Sequence, residues 1–288
     1  MTAWGCVVLT QGRRPPELAA AVGSLRAQRD VHIDVAVVGN GWVPEGLPDG
    51  VKAVALAEDA GIPGGRNAGV PAVTGELLFF LDDDARLEEP GTLAALAERF
   101  AADARLGLVQ LRVKADDGSR GPRDWVPRLR SGDPERSSDV CAVWEGAVAI
   151  RRDVFERAGG WPAPFRFAHE GVDLAWRVLD AGFRVAYAGD LAALHPPYAP
   201  AAHDYSAFYG ARNRVWIARR YLPAPLGVLY VLSFAARTAP LLWRSPARAA
   251  AALRGYREGL RGPGSGPRQR LRMSTMLRMT RAGRPPIV

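Results

Sequence analysis

Short apolar runs alternate with amphipathic segments through the first half of the chain. The apolar runs predict strands over Trp4–Thr10, His32–Val38, Val51–Ala57, Leu77–Leu81 and Leu106–Val113. The segments between these runs predict helices over Pro15–Gln28, Gly61–Val73 and Leu93–Phe100. Strands that alternate with helices in this way indicate an α/β fold with a mostly parallel sheet flanked by helices.

The pattern becomes irregular after residue 113. Residues 114–139 are polar and rich in glycine and proline, which predicts a long loop that is either disordered or a lid over a functional site. Regular structure is predicted to resume with a strand over Val140–Ile150, helices over Asp153–Ala158 and Val172–Ala181, and a strand over Phe183–Ala188.

The most apolar segment of the chain is Leu222–Trp243. Its length approaches that of a transmembrane helix, but Pro223, Pro225, Pro240 and a central Arg237 argue against a span. We expect a helical hairpin or an interfacial segment, and a buried closing pair of helices is the alternative.

Charge is unevenly distributed over the 288 residues. The chain carries a net charge of +8, and residues 244–288 hold eleven arginines and one acid, which gives that segment +10 and the remainder −2. An arginine-rich extension suits an anionic surface, either phospholipid or nucleic acid, unless it is simply solvated. No signature of a nucleic-acid-binding fold occurs, so we expect a membrane surface and no nucleic acid as a partner.

The two cysteines indicate a reducing compartment. Cys6 and Cys141 lie far apart in apolar runs, which favours buried, reduced thiols over a disulfide. The segment at residues 1–11 lacks the features of a signal peptide and is better interpreted as a first strand. We therefore expect a cytoplasmic location, peripheral on the inner face of the membrane.

Three adjacent acids end the predicted strand Leu77–Leu81, namely Asp82, Asp83 and Asp84. Because neighbouring carboxylates repel one another, a fold that holds them together usually holds a cation as well. Open α/β sheets bind ligands at the carboxyl ends of their strands, where these acids would lie. Their oxygens suit Mg²⁺ or Mn²⁺ shared with a phosphate, and a solvated acidic turn is the alternative.

Further motifs follow one another in a fixed order along the chain. They are Thr10-Gln11-Gly12-Arg13, Gly39-Asn40-Gly41, the glycine-rich turn at 61–69, the acids, Gly146–Arg152, Gly159-Gly160-Trp161, His169–Arg177 and His195. Over roughly residues 4–220 this series resembles the family 2 glycosyltransferases, which have the GT-A fold. The resemblance implies a catalytic domain over residues 1–220, followed by a helical, arginine-rich extension over residues 221–288.

The resemblance also implies a reaction. Such enzymes transfer a sugar from a nucleotide-diphosphate donor to an acceptor nucleophile, usually with inversion and with a divalent metal ion. We therefore expect Mn²⁺ or Mg²⁺ as cofactor and a glycan or a lipid-linked precursor as acceptor. A sugar nucleotidyltransferase and a non-catalytic glycan- or nucleotide-binding member of the fold are the alternatives.

By the same resemblance, Asp84 is the expected direct metal ligand, with Asp82 and His195 as further ligands. Asp82 is alternatively a ribose contact, and His195 is alternatively an ordinary loop residue. His169 and His203 are weaker candidates for metal ligands. The residues expected to contact the donor are Thr10, Gly12, Arg13, Asn40, Gly65, Arg66, Asn67, Asp82 and Asp83.

Two departures from the family pattern leave parts of the site open. Gly39, followed by Asn40, stands where the family often has an acid that contacts the nucleobase, so the base remains open. Gly171 stands at the usual position of the catalytic base. Glu170 and Asp173 share a helix face and are the remaining candidates, although Asp173 can also stabilise the helix start or pair with Arg177.

A helical stripe of aromatic and polar residues follows His195. We expect it either to pack in the core or to line the acceptor side, and it consists of Phe208, Tyr209, Arg212, Asn213 and Trp216.

Overall fold

The computed structural model describes residues 1–197 and 204–287, so His203 lies outside the described residues. Nine strands are described: β1 Ala3–Thr10, β2 His32–Asn40, β3 Lys52–Leu56, β4 Leu77–Asp82, β5 Arg86–Leu87, β6 Leu106–Ala115, β7 Ser138–Asp139, β8 Ala147–Arg151 and β9 Arg184–His195. The α-helices described are α1 Pro15–Arg26, α2 Gly61–Gly69, α3 Thr92–Ala102, α4 Arg152–Ala158, α5 Glu170–Asp180, α6 Asp204–Tyr221, α7 Ala224–Trp243, α8 Pro246–Arg261 and α9 Met273–Arg281.

The strands form one sheet in the order β3-β2-β1-β4-β8-β6-β9-β5, with β7 paired to β9. The strands β1 to β4 run parallel to one another, whereas β8 is antiparallel to both of its neighbours. The α/β fold class is therefore confirmed, and the parallel arrangement is complete only in the first half of the sheet. Because β1, β2 and β4 are parallel, their carboxyl ends meet at one edge.

Both faces of the sheet are covered, as the near-continuous apolar character of β4 requires. Successive residues of a strand point to opposite faces. Phe79 accordingly packs edge-on against Trp4 on the face that α1 and α3 cover. Phe80 packs edge-on against Trp161 on the opposite face.

The C-terminal extension packs into the same core as the sheet. Tyr230 of α7 and Met276 and Met279 of α9 are buried in the cluster that contains Trp176 of α5. The Cys141 thiol donates to the carbonyl oxygen of Met279 at 3.7 Å. A tail that is solvated throughout is therefore the wrong interpretation, and the domain division at residue 220 stays a prediction.

The helix α7 differs from the expected hairpin. Residues 224–243 form one helix, because Pro225 lies in the first turn, where no backbone N–H is needed, and Pro240 interrupts only the last turns. Most of α7 lies outside the packed core, and the side chains of Val228, Leu229 and Leu232 are at least half exposed. By length and composition alone, α7 is long and apolar enough to cross a membrane.

Two predicted strands have the wrong bounds. Of Val140–Ile150, only the part from Ala147 onward is a strand, and residues 140–146 form an irregular segment that is largely buried. The strand predicted to end at Ala188 continues to His195 after a register shift against β6. Both cysteines are free and buried, as predicted.

Candidate active site

The acid triplet lies at the edge where β1, β2 and β4 end. Asp82 is the last residue of β4, and the short strand β5 follows almost at once and pairs with the end of β9. This pairing places Arg86 opposite Leu194 and thereby brings Asp84 next to His195. The His195 Nε2 atom lies 3.1 Å from Asp84 Oδ1.

Asp82, Asp84 and His195 form a set that can hold a metal ion. One ligand atom from each of the three lies within 4.8 Å of the others. The Nδ1 atom of His195 is 2.6 Å from the carbonyl oxygen of Pro196, which favours a proton on Nδ1 and directs the Nε2 lone pair at Asp84. Two lone pairs that face each other at 3.1 Å need a proton or a cation between them. Carboxylate oxygens with one imidazole nitrogen fit Mn²⁺.

Arginine side chains neutralise the acids from two sides. Arg14 forms an ion pair with Asp84 and lies 3.0 Å from Asp83. The guanidinium of Arg66 lies 2.5 Å from Asp82 Oδ1. The acids are therefore paired and largely enclosed, which is not the arrangement of a solvated acidic turn. Arg14 was missed in the sequence, where only its neighbour Arg13 was singled out.

Asp83 points back into the fold. The hydroxyl of Thr10 donates to Asp83 Oδ2 at 2.6 Å, and the amide of Gly12 donates to the Thr10 hydroxyl at 3.0 Å. Desolvation raises the pKa of Asp83, against the opposing effects of Thr10 and Arg14. Thr10, Gly12 and Asp83 thus fix the loop that follows β1, whereas Arg13 is exposed beside it.

The glycine-rich turn delivers Arg66 to the acids. Gly65 packs so closely on Leu9 of β1 that a Cβ atom would overlap that side chain. This approach buries Arg66, which stacks on Trp161 at 5.2 Å. Its Nη1 atom is buried and has no hydrogen-bond partner within residues 1–197 and 204–287.

Other predicted donor contacts serve to fix loops. Asn67 accepts from the amide of Trp161 at 2.9 Å and donates to its carbonyl oxygen at 2.8 Å, so both polar atoms of the side chain are engaged. Asn40 donates to Asp59 at 2.6 Å and accepts from the amide of Ala60 at 2.8 Å. These bonds hold the turn before α2 against the end of β2.

The two candidate bases on α5 differ sharply in their surroundings. Glu170 is 3% exposed, and its Oε2 atom has no hydrogen-bond partner in the described parts of the chain. Asp173 is fully buried, accepts from Arg177 Nε at 2.7 Å and from the Tyr221 hydroxyl at 2.7 Å, and so has both oxygens engaged. Asp173 therefore fits the alternative of a helix-stabilising pair with Arg177 better than that of a base.

Glu145 is a site residue that the sequence did not reveal. Its Oε1 atom accepts from the amide of Gly171 at 2.5 Å. Desolvation, reinforced by the charge of Glu170, raises the pKa of Glu145 to about 8 against the opposing effect of Arg66. Desolvation also raises the pKa of Glu170. A single acid inside the run from residue 140 to 150 carries no motif, so only its position directly before Gly146 could have pointed to it.

The predicted stripe on α6 supports the turn that precedes α5. Ala168 and His169 have positive φ angles of 66°, a region that costs non-glycine residues energy. The Asn213 amide holds this turn by donating to the carbonyl oxygens of Phe167 and Ala168 at 2.7 and 2.9 Å. Arg212 and Asn213 are buried, so this part of the stripe packs in the core.

The loop at residues 114–139 contacts the candidate metal ligand His195. Its Trp125 is buried and packs edge-on against His195 at 5.4 Å. Gln110 of β6 donates to the carbonyl oxygen of Trp125 at 2.7 Å and accepts from the amide of Trp144 at 2.7 Å. The loop is thus tied to β6, and its role as a lid stays a prediction.

The fold, with its acid cluster at the carboxyl ends of the parallel strands, is of the GT-A type. The sequence model of the family described as Glycosyl transferase family 2 matches residues 6–159, and the chain belongs to that family. Over 189 residues it is 30% identical to a pre-mycofactocin glycosyltransferase of Mycobacterium tuberculosis, an alignment that covers 62% of this chain. The same alignment covers 36% of that relative, so the chain spans about a third of the length of the curated relatives it matches.

Solved structures share the fold at low sequence identity. A mannosyltransferase of Pyrobaculum calidifontis in complex with GDP-Man and Mn²⁺ is 16% identical with a TM-score of 0.59, and the match covers 90% of this chain and 87% of that one. GalNAc-T7 with UDP, GalNAc and Mn²⁺ is 14% identical with a TM-score of 0.62, covering 91% of this chain and 56% of that one. TarS 1-349 of S. aureus is 15% identical with a TM-score of 0.59, covering 90% and 81%.

Proposed function

We propose that the chain is a metal-dependent, inverting glycosyltransferase that moves a sugar from a nucleotide-diphosphate donor to an acceptor hydroxyl. The observation that supports this most is the set of Asp82, Asp84 and His195, which lies beside the buried Arg66 and near the carboxyl groups of Glu145 and Glu170. A divalent ion held there would neutralise charge that develops on the diphosphate as it leaves.

The chain's own residues account for donor binding. The Nη1 atom of Arg66, which has no hydrogen-bond partner in the described parts of the chain, could donate to a phosphate oxygen next to Asp82. Gly12 has a φ of +72°, and its amide is fixed by Thr10, so the loop after β1 can bring its backbone close to the nucleotide. Arg14, now paired with Asp84, would have to exchange that partner for the diphosphate when a cation binds Asp84.

The acceptor hydroxyl must lose its proton as it attacks, and a carboxylate near the donor can take it. Of the two candidates on α5, Glu170 is the one that can contribute to this proton acceptor, because Asp173 has both oxygens engaged by Arg177 and Tyr221. Inversion is consistent with a base that acts directly on the acceptor and forms no covalent link with the sugar.

Nucleotide sugars are the donors that the comparisons support. The mannosyltransferase neighbour is described with GDP-Man, GalNAc-T7 with UDP and GalNAc, and TarS with UDP-GlcNAc at a TM-score of 0.53. We therefore propose GDP-mannose, UDP-GalNAc and UDP-GlcNAc as the first donors to test.

The exposed side of α7 supports a peripheral membrane contact and a lipid-linked or glycan acceptor. Val228, Leu229 and Leu232 form an exposed apolar patch next to the basic segment 244–288. Replacing these three residues with serine should reduce flotation with vesicles of phosphatidylglycerol and phosphatidylcholine. The matched control is Val43→Ser, a similarly exposed valine in the segment after β2, and equal flotation of both variants would exclude the contact.

The function itself is tested by nucleoside diphosphate release from the three donors in the presence of Mn²⁺. We expect Asp84→Ala to abolish the Mn²⁺-dependent release, while Asp153→Ala, an exposed acid on α4, leaves it unchanged. Undiminished release by the Asp84 variant would exclude this metal site.

A further inference from the structure

We propose that Glu145 is a catalytic carboxylate of this site and, of the pair that it forms with Glu170, the member that faces the acceptor. This inference rests on the proposed function. Glu145 lies in the irregular segment before β8, whereas Glu170 begins α5. The two carboxyl groups therefore reach one place from different parts of the chain.

The packing around Gly171 is the first observation. A Cβ atom at residue 171 would lie 2.5 Å from Glu145 Oε1 and would also overlap the carbonyl oxygen of Val143. No side chain fits at position 171, because the segment at 143–145 occupies that space. A carboxylate is nevertheless present at the start of α5, and residue 145 supplies it.

The second observation is the position of Glu145 relative to the acid cluster. Its neighbour Gly146 accepts from the amide of Asp82 at 3.0 Å. Its other neighbour, Trp144, packs edge-on against His195 at 5.1 Å. Both residues that flank Glu145 thus contact the candidate metal ligands, which places this carboxylate between that cluster and α5.

Accessibility distinguishes the two members of the pair. Glu170 is buried, and its enclosed Oε2 atom has no hydrogen-bond partner among residues 1–197 and 204–287. Glu145 is more exposed than Glu170, which makes it the member of the pair nearer to solvent. The charged groups that act on the pair are Arg66 of α2 and Asp82 of β4. A carboxyl group whose pKa lies near neutral pH is well matched to proton transfer there.

Proton transfer and sugar transfer occur together in the proposed step. The acceptor O–H bond breaks, and its proton goes to Glu145 Oε2, the oxygen that does not accept from Gly171. The acceptor oxygen forms a bond to the anomeric carbon while the bond from that carbon to the diphosphate oxygen breaks. The electron pair of the broken bond leaves with the nucleoside diphosphate, and the proton then passes to solvent.

A purely structural role for Glu145 makes a different prediction. His169 provides no side-chain cap for α5, and Glu145 accepts one of the free amides of the first turn instead. Glutamine keeps an oxygen that can accept this bond but cannot take up a proton. The variant Glu145→Gln therefore separates a helix cap from a proton acceptor.

The test compares the wild type, Glu145→Gln, Glu170→Gln and the exposed control Glu98→Gln. With Mn²⁺ and GDP-mannose, UDP-GalNAc or UDP-GlcNAc, and with water as acceptor, the release of nucleoside diphosphate is followed from pH 5 to pH 9. We expect Glu145→Gln to lower kcat by about 100-fold or more and to change the pH profile, with donor Kd unchanged and no decrease in Tm. Glu98→Gln should match the wild type.

A second variant guards against a folding defect. In Glu145→Ala, added formate should restore part of the lost turnover, because a small carboxylate can enter the space that the side chain leaves. Turnover of Glu145→Gln within threefold of the wild type would overturn the inference and leave the proposed function intact. If the wild type released no nucleoside diphosphate from any of the three donors, the proposed function and this inference would fail together.

Discussion

We interpret Asp173 as a residue that stabilises α5 and not as the catalytic base, and mutation of Asp173 tests this interpretation. Asp173 and Arg177 are spaced i,i+4 on α5, and their side chains are 0% and 6% exposed. The Arg177 Nη2 atom lies 2.5 Å from Asp173 Oδ2. Asp173→Asn removes the negative charge and leaves the Arg177 guanidinium buried without a counter-charge. Breaking a buried pair in this way costs about 3–5 kcal/mol of unfolding free energy.

The chain contains a matched control. Asp153 and Arg157 have the same spacing on α4, but their side chains are 64% and 57% exposed. Because exposed pairs of this kind contribute about 0.3–0.5 kcal/mol, Asp153→Asn should leave the stability almost unchanged. Urea denaturation followed by tryptophan fluorescence measures both variants. A stability of Asp173→Asn within about 1 kcal/mol of the wild type, together with lost turnover, would refute this reasoning and restore Asp173 as the base.

Two further predictions concern stability. At Gly69 a Cβ atom would lie 2.5 Å from Val7 Cγ1, so Gly69→Ala should lower the free energy of unfolding by about 1–3 kcal/mol in urea denaturation. Gly23 lies in open space on α1, so Gly23→Ala should be neutral or stabilising. Equal effects of the two substitutions would contradict the close packing at Gly69. Between about pH 4.5 and pH 8, folded Glu145 holds a proton that the unfolded chain has lost, so the wild type loses stability with rising pH. In the metal-free protein, the free energy of unfolding of Glu145→Gln should therefore rise relative to that of the wild type by up to about 1 kcal/mol per pH unit. Parallel pH dependences of the two proteins would contradict the raised pKa of Glu145.

The sequence predicted the elements whose signals are local. The apolar run before Asp82 identified β4, and the parallel strands beside it followed from the alternation of strand and helix patterns. The meeting of Asp84 with His195 depends on the two-residue strand β5, which is too short to give a periodic signal. The end of β9 was missed because Gly189 and Asp190 interrupt its apolar pattern at the register shift.

The pairing of the Glu145 and Glu170 carboxyl groups could not be predicted from the periodicity of the sequence. The sequence showed that Gly171 lacks the acid that the family usually has, but it gave no reason for the glycine. The reason is the approach of the segment at 143–145, which lies 26 residues away along the chain from the amide it contacts. Such a compensation between distant residues becomes visible only when both are placed in three dimensions.

In the proposed function, Asp84 and His195 hold the cation that binds the donor diphosphate. Crystals grown with Mn²⁺ and either uridine or guanosine diphosphate, measured at the manganese absorption edge, test it directly. We predict an anomalous peak within coordination distance of Asp84 and His195, with the diphosphate next to Arg66. A peak at another site, with His195 still in direct contact with Asp84, would contradict it.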